Sequence, residues 1–225
     1  MNITIDNLRK AYGETVACDI AHLELKAGEL IGLVGNNGAG KTTLFRLLLD
    51  LAKADSGHVD MDGINPAQSE EWKAFTGAYI DETFLIDYLS SQEYLAFLAK
   101  ANGLETTPEL PIMPDDPQKL IRQLSAGNKQ KVGIAGAILH QPQLLILDEP
   151  FNFLDPSGQI QLKHLLTDYH QRHPEAVILL SSHNLQHTVD VSTRVLLLEH
   201  GRIVKDLDNG NGQAREELTN YFETE

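Results

Sequence analysis

GNNGAGKTT (Gly35–Thr43) sets three glycines and one lysine between two apolar segments, ELIGLV before it and LFRLLLDL after it. Such residues make poor core material, so the stretch serves something other than packing. The spacing Gly35-x4-Gly40-Lys41-Thr42, following a strand-like run and opening a helical one, is the phosphate-loop pattern. Glycines let successive backbone N–H groups curve toward an anion, and the helix N-terminus adds partial positive charge at the same place. In this reading Lys41 reaches the β and γ phosphates of a nucleotide, and the Thr42 hydroxyl holds Mg²⁺.

Working outward, ELIGLVG (29–35), QLLILDE (143–149) and AVILLSS (176–182) are short continuous apolar runs interleaved with helical patterns. They predict an α/β protein with a mostly parallel, buried central sheet. NITIDNLRKAY and ACDIAHLELKAG alternate polar and apolar residues, as half-exposed strands of an N-terminal antiparallel layer would. RVLLLEHGRIVKDL contains two runs split by His200-Gly201, a hairpin signal. QLLILDEP supplies the acids that a phosphate loop requires. Asp148 is placed to hold Mg²⁺ and Glu149 to orient and polarise the attacking water.

Composition narrows the class. The chain has 225 residues, one cysteine (Cys18), nine scattered histidines and a formal charge of −14. One cysteine excludes an internal disulfide framework and fits a reducing compartment. The acidic balance opposes a nucleic-acid backbone, so no nucleic-acid partner is expected. The N-terminal residues lack the pattern of a secretory signal. No window approaches the run of about eighteen apolar residues that a membrane span needs.

Residues 90–101 read as a helix, with Ser90 and Glu93 in capping-box spacing. Prolines at 108, 111, 114 and 117 then favour an extended connector, with Asp116-Pro117 able to start another helix. Residues 84–124 are taken as a small helical lobe inserted in a core of 1–83 and 125–225. Leu124-Ser125-Ala126-Gly127-Asn128 precedes a helical run and offers an anion another helix N-terminus, although alone it reads equally as an N-cap serine. His183, after AVILLSS, is positioned either to touch a γ phosphate or to serve as a structural histidine at a strand end.

The order of these signals carries more than any one of them. Phosphate loop, LSAGN, QLLILDEP, FNFLD and SSH together resemble the ATP-binding subunit of ABC transporters over roughly residues 3 to 205. The resemblance implies an ATPase with ATP and Mg²⁺ as ligands, and a nucleotide site comprising Tyr12 stacked on adenine and Gly35, Asn36, Asn37, Gly38, Ala39, Gly40, Lys41, Thr42 and Thr43. It implies that Ser125 and Gly127 of one subunit close on ATP held by another, and that Asp155 communicates between the two sites. Glu149, His183 and Lys41 are its catalytic residues, and Thr42, Asp148 and Asp81 its metal residues. The implied partners are a second ATPase subunit and an integral membrane permease, which would place the chain in the cytoplasm against the inner face of the membrane.

Two departures shape the expectation. LSAGN stands where the family has LSGGQ, and Asp81, or Glu82 beside it, stands where the family has glutamine at the junction with the helical lobe. An acidic residue there resembles exporter subfamilies. The expected function is therefore to drive export, with a soluble ABC-type ATPase of cofactor assembly as the alternative. Phe84, Leu85, Ile86 and Tyr88 are either the lobe's small core or part of an exposed groove that receives a permease helix.

Overall fold

The computed structural model describes residues 1–210 and 212–224; Asn211 and Glu225, which fall within the expected core segment 125–225, lie outside the described residues. The frame is a six-stranded sheet containing β3 (Leu30–Val34), β5 (Thr76–Tyr79), β6 (Leu144–Leu147), β7 (Val177–Ser182), β8 (Arg194–Glu199) and β9 (Arg202–Asp208). Its order is β5-β6-β7-β3-β8-β9, and only β9 runs antiparallel to its neighbour. Every residue of β3, β6 and β7 is buried. That is why their sequences are continuous apolar runs: both faces of the sheet are covered.

Alternate residues of these strands feed two cores. Leu144, Ile146, Val177 and Leu179 point to one side, where they meet Leu44, Phe45 and Leu48 of α1 (Lys41–Leu48). The same core takes the inner face of a second, antiparallel sheet, made of β2 (Thr15–Leu25), β1 (Ile3–Tyr12) and β4 (Ser56–Met61) in that order. There Ile3, Ile5, Ile20, Leu23, Val59 and Met61 alternate inward, the pattern expected of half-exposed strands. Leu145, Leu147, Ile178 and Leu180 point to the other side, against α2 (Ser91–Ala101), α3 (Ala126–Ile138) and α4 (Pro156–Arg172). A third cluster joins Val34, Val189, Val195 and Leu197 to Ala214 and Leu218, docking α5 (Leu185–Val191) and α6 (Gln213–Thr224).

The capping box forms as read. Ser90 Oγ accepts from the Glu93 N–H, and the Glu93 carboxylate accepts from the Ser90 N–H at 2.8 Å. The expected helix at Asp116-Pro117 does not form. The Pro117 carbonyl accepts from the Gln92 N–H, and the Ile121 and Arg122 N–H groups go to the carbonyls of Leu89 and Asp87. These backbone groups are committed to the start of α2, so the chain runs alongside residues 87–92 and makes only a short 3-10 turn at Ile121–Gln123.

β6, β7 and β3 are adjacent and parallel, so the segments that follow them emerge at one edge of the sheet. In open α/β sheets the carboxyl ends of the strands are where ligands bind.

Candidate nucleotide site

The loop after β3 owes its shape to close approaches. A Cβ at Gly35 would lie 2.3 Å from the Leu198 carbonyl oxygen, and one at Gly40 would lie 2.1 Å from that of Ala17. Gly40 also has φ 109° and caps α1. Both positions therefore exclude any side chain. The β8–β9 turn braces the loop through a 2.8 Å bond from the Gly201 N–H to the Ala39 carbonyl. Asn36, Asn37 and Gly38 remain exposed at the mouth, and Thr43 is half-buried in the first turn of α1.

Lys41 is buried, and its Nζ donates to the carbonyl of Gly35 at 2.7 Å. The same ammonium lies 3.4 Å from Glu149 Oε1. Next to it, the Thr42 hydroxyl donates to Oδ2 of Asp148. Asp148 is itself buried, and burial pushes its carboxyl above the usual range, opposed by the hydroxyls of Ser181 and Thr42. Glu149 sits in the left-handed region at φ 46°, uncommon for a residue with a side chain. Its second oxygen lies 2.8 Å from Nδ1 of His183. Residues from the β3, β6 and β7 ends thus lie together at one place.

Thr42, where the phosphate loop enters α1, and Asp148, just after β6, offer adjacent hydroxyl and carboxylate oxygens. Hard, all-oxygen donors of this kind fit Mg²⁺ better than a thiophilic or imidazole-seeking metal. Asp81 lines the same cavity as Asp148 and Glu149, but its carboxylate accepts from Thr83 and faces Arg46 at 3.5 Å.

The remaining candidates lie around this centre. Tyr12 ends β1, exposed, with Lys10 Nζ 5.3 Å from its ring, on the hairpin whose Ala17 abuts Gly40. Ser125 is the exposed N-cap of α3 and accepts from the Asn128 N–H. A Cβ at Gly127 would lie 2.5 Å from the Phe153 carbonyl oxygen, so the signature turn packs on the FNFLD segment. Among the described residues no hydrogen bond or ion pair joins Ser125 or Gly127 to the phosphate loop of the same chain. Asp155 caps α4, accepting from the Gly158 N–H and the Ser157 hydroxyl, each at 2.9 Å. Phe84 and Tyr88 are exposed, whereas Leu85 is buried in the core and cannot face a partner. Phe84 edges an apolar groove with Leu49, Leu51, Trp72 and Ile80.

Two polar residues of the site escape motif reading. Gln130, buried on α3, donates to the Glu149 carbonyl at 3.2 Å, and Ser181 on β7 touches both Asp148 and Glu149. The signal available for Ser181 is a pair of buried serines, Ser181 and Ser182, closing a strand that is apolar up to Leu180.

A parallel sheet carrying a phosphate loop after β3 and an acid pair after β6 defines a P-loop nucleotide hydrolase. The ABC transporter family profile matches residues 18–152, and the chain belongs to that family as one of its ATP-binding, ATP-hydrolysing subunits. It is 33% identical over 213 residues to the bacitracin transport ATP-binding protein BcrA of Enterococcus faecalis, covering 92% of this chain and 69% of that one. It is 31% identical over 214 residues to the probable sulfate/thiosulfate import ATP-binding protein CysA of Chlorella vulgaris, covering 91% and 90%. In fold it is similar to a dimeric post-hydrolysis structure of the ATP-binding cassette MJ0796 bound to ADP and Pi, with TM-score 0.81, 20% identity and coverage of 92% and 98%. Among the described residues no helix is long and apolar enough to cross a membrane.

Proposed function

We propose that this chain powers an exporter: two copies, or this chain and a related one, close around ATP and pass the motion to a separate membrane permease. The convergence of Lys41, Thr42, Asp148, Glu149 and His183 from the ends of three adjacent parallel strands carries the reading. Thr42 and Asp148, with Asp81 nearby, would hold Mg²⁺, which would supply neutralising charge to the phosphates. Lys41 exchanges the Gly35 carbonyl and Glu149 for the β and γ phosphate oxygens, while Tyr12 stacks on adenine. Glu149 orients a water for in-line attack and accepts its proton. The new bond forms between that water's oxygen and the γ phosphorus, and the bond to the ADP oxygen breaks. His183 donates to the γ phosphate as charge develops.

Ser125 and Gly127 complete the nucleotide site of the other subunit, and Asp155 links the two sites through the start of α4. Closure is favoured because only the closed pair contacts the γ phosphate from both chains. Direction of transport is read from Asp81 and Glu82 at the junction between the core, 1–83 and 125–225, and the lobe, 84–124. The groove edged by Phe84 receives a short permease helix through apolar contacts, which holds the chain at the inner face of the membrane. The acidic surface leaves nucleic acid without a role.

The shared site is tested by a chain carrying Asn37→Cys and Ser125→Cys. Oxidation with MgATP should give an intermolecular disulfide that is absent without nucleotide. A crosslink indifferent to nucleotide, or none, would show that Ser125 does not meet another subunit's phosphate loop.

A further inference from the structure

Asp148 and Glu149 are joined through a single hydroxyl, that of Ser181. The residue is fully buried in β7 between Leu180 and Ser182, at the end of a strand whose first four residues are apolar. Its Oγ donates to Asp148 Oδ1 and accepts from the N–H of Glu149 at 2.8 Å. A hydroxyl has one proton and two lone pairs, so this arrangement spends the proton on the carboxylate and a lone pair on the amide.

The peptide it grips belongs to one of seven non-glycine residues with positive φ among the described residues. Glu149 has φ 46°, and both of its backbone polar groups are held: the N–H by Ser181, and the carbonyl by Gln130 Nε2 at 3.2 Å and the Asn152 N–H at 3.1 Å. Left-handed backbone at a residue with a side chain persists only where its surroundings impose it. The same hydroxyl, with that of Thr42, fixes the plane of the Asp148 carboxylate from two sides.

We propose that Ser181 is a positioning residue for hydrolysis: its hydroxyl sets the separation and orientation of the metal-holding Asp148 and the water-orienting Glu149. The proposal rests on the roles given to those two residues above. Without the hydroxyl, the Asp148 carboxylate is free to turn away from Thr42. The Glu149 peptide loses its amide anchor and relaxes toward ordinary backbone, drawing the carboxylate off Lys41 and His183. Among the described residues no side-chain hydrogen bond joins Ser181 to the phosphate loop, so nucleotide capture through Lys41 stays intact.

Ser181→Ala and Ser181→Thr are compared with the parent by calorimetric ATP binding, with and without Mg²⁺, and by steady-state kcat. For Ser181→Ala, ATP affinity without Mg²⁺ stays parental, the gain in affinity on adding Mg²⁺ shrinks, and kcat falls by about tenfold or more, as misplaced catalytic groups do. Ser181→Thr, which keeps the hydroxyl, restores both. Parental kcat in Ser181→Ala overturns the proposal, as do equal losses in the Ala and Thr variants or an affinity loss that is the same with and without Mg²⁺. Should Ser181→Ala not fold, Ser181→Cys, of similar size but a weak hydrogen-bonding group, decides by the same kcat criterion. A parent whose ATP affinity ignores Mg²⁺ overturns the metal reading and the proposal with it. A normal parental response beside an indifferent Ser181→Ala overturns the proposal alone.

Discussion

Glu149 Oε2 lies 2.8 Å from Nδ1 of His183, and the other Glu149 oxygen lies 3.4 Å from Nζ of Lys41. Both neighbours are groups that a γ phosphate attracts. On the proposed reading, a nucleotide entering the loop should draw them away from Glu149 and leave its carboxylate for water. On this account His183→Ala binds ATP within about threefold of the parent while kcat falls about a hundredfold, the usual scale for losing a group active only in the transition state. Titration calorimetry and a phosphate-release assay check the two halves separately.

Lys41→Ala and Ser125→Ala should separate capture from assembly. On the proposed reading Lys41 serves its own subunit's nucleotide, so its loss should remove measurable binding of a non-hydrolysable ATP analogue. Ser125→Ala leaves that binding intact and weakens ATP-dependent dimerisation. It also costs about 1 kcal/mol of stability, because Ser125 caps α3. Equal loss of analogue binding in both variants would contradict a site shared between subunits.

Asp148 should stand out as a residue kept at the expense of stability. Burial raises its carboxyl pKa above the unfolded value, so the folded chain holds this proton more tightly than the unfolded chain. Its favourable contribution is present in acid and is lost as pH rises through the folded pKa, leaving a buried charge at neutral pH. Asp148→Asn should therefore melt higher than the parent without nucleotide, by more at about pH 7.5 than at about pH 4.5, while hydrolysis is abolished. Thermal melts at the two pH values check the sign, and a lower melting temperature for the variant at neutral pH would contradict it.

Phe84 and Tyr88 are exposed and Leu85 is not, which fixes how membrane docking is to be probed. Phe84→Glu and Tyr88→Glu should leave the melting temperature and ATP binding unchanged while removing the chain from membranes that carry its permease. Leu85→Glu would instead disrupt the core by placing a charge among apolar side chains. Flotation of membranes from cells expressing each variant reads the difference.

Much of this architecture is legible in the sequence because β3, β6 and β7 are covered on both faces and their composition shows it. His200-Gly201 marks the β8–β9 turn, where both residues have positive φ. β4 and β5 are harder to read: SGHVDM begins with three exposed residues, and TGAY has only four. The converging site residues could be named from motif order, but Ser181 could not. Its two partners lie 32 and 33 residues away, just past the end of the neighbouring strand β6, a relationship that exists only after the sheet has formed. Asp116-Pro117 failed as a helix start for the same reason, since tertiary hydrogen bonds claimed the adjoining backbone.

Sedimentation velocity of the Glu149→Gln chain decides whether two subunits close around ATP. The amide keeps the side chain's size but cannot accept a proton from water, so ATP is held without turnover. With MgATP the variant should sediment as a dimer and return to a monomer when nucleotide is removed or ADP replaces ATP. A monomer under saturating MgATP, with ATP binding confirmed in the same sample, would contradict closure around ATP.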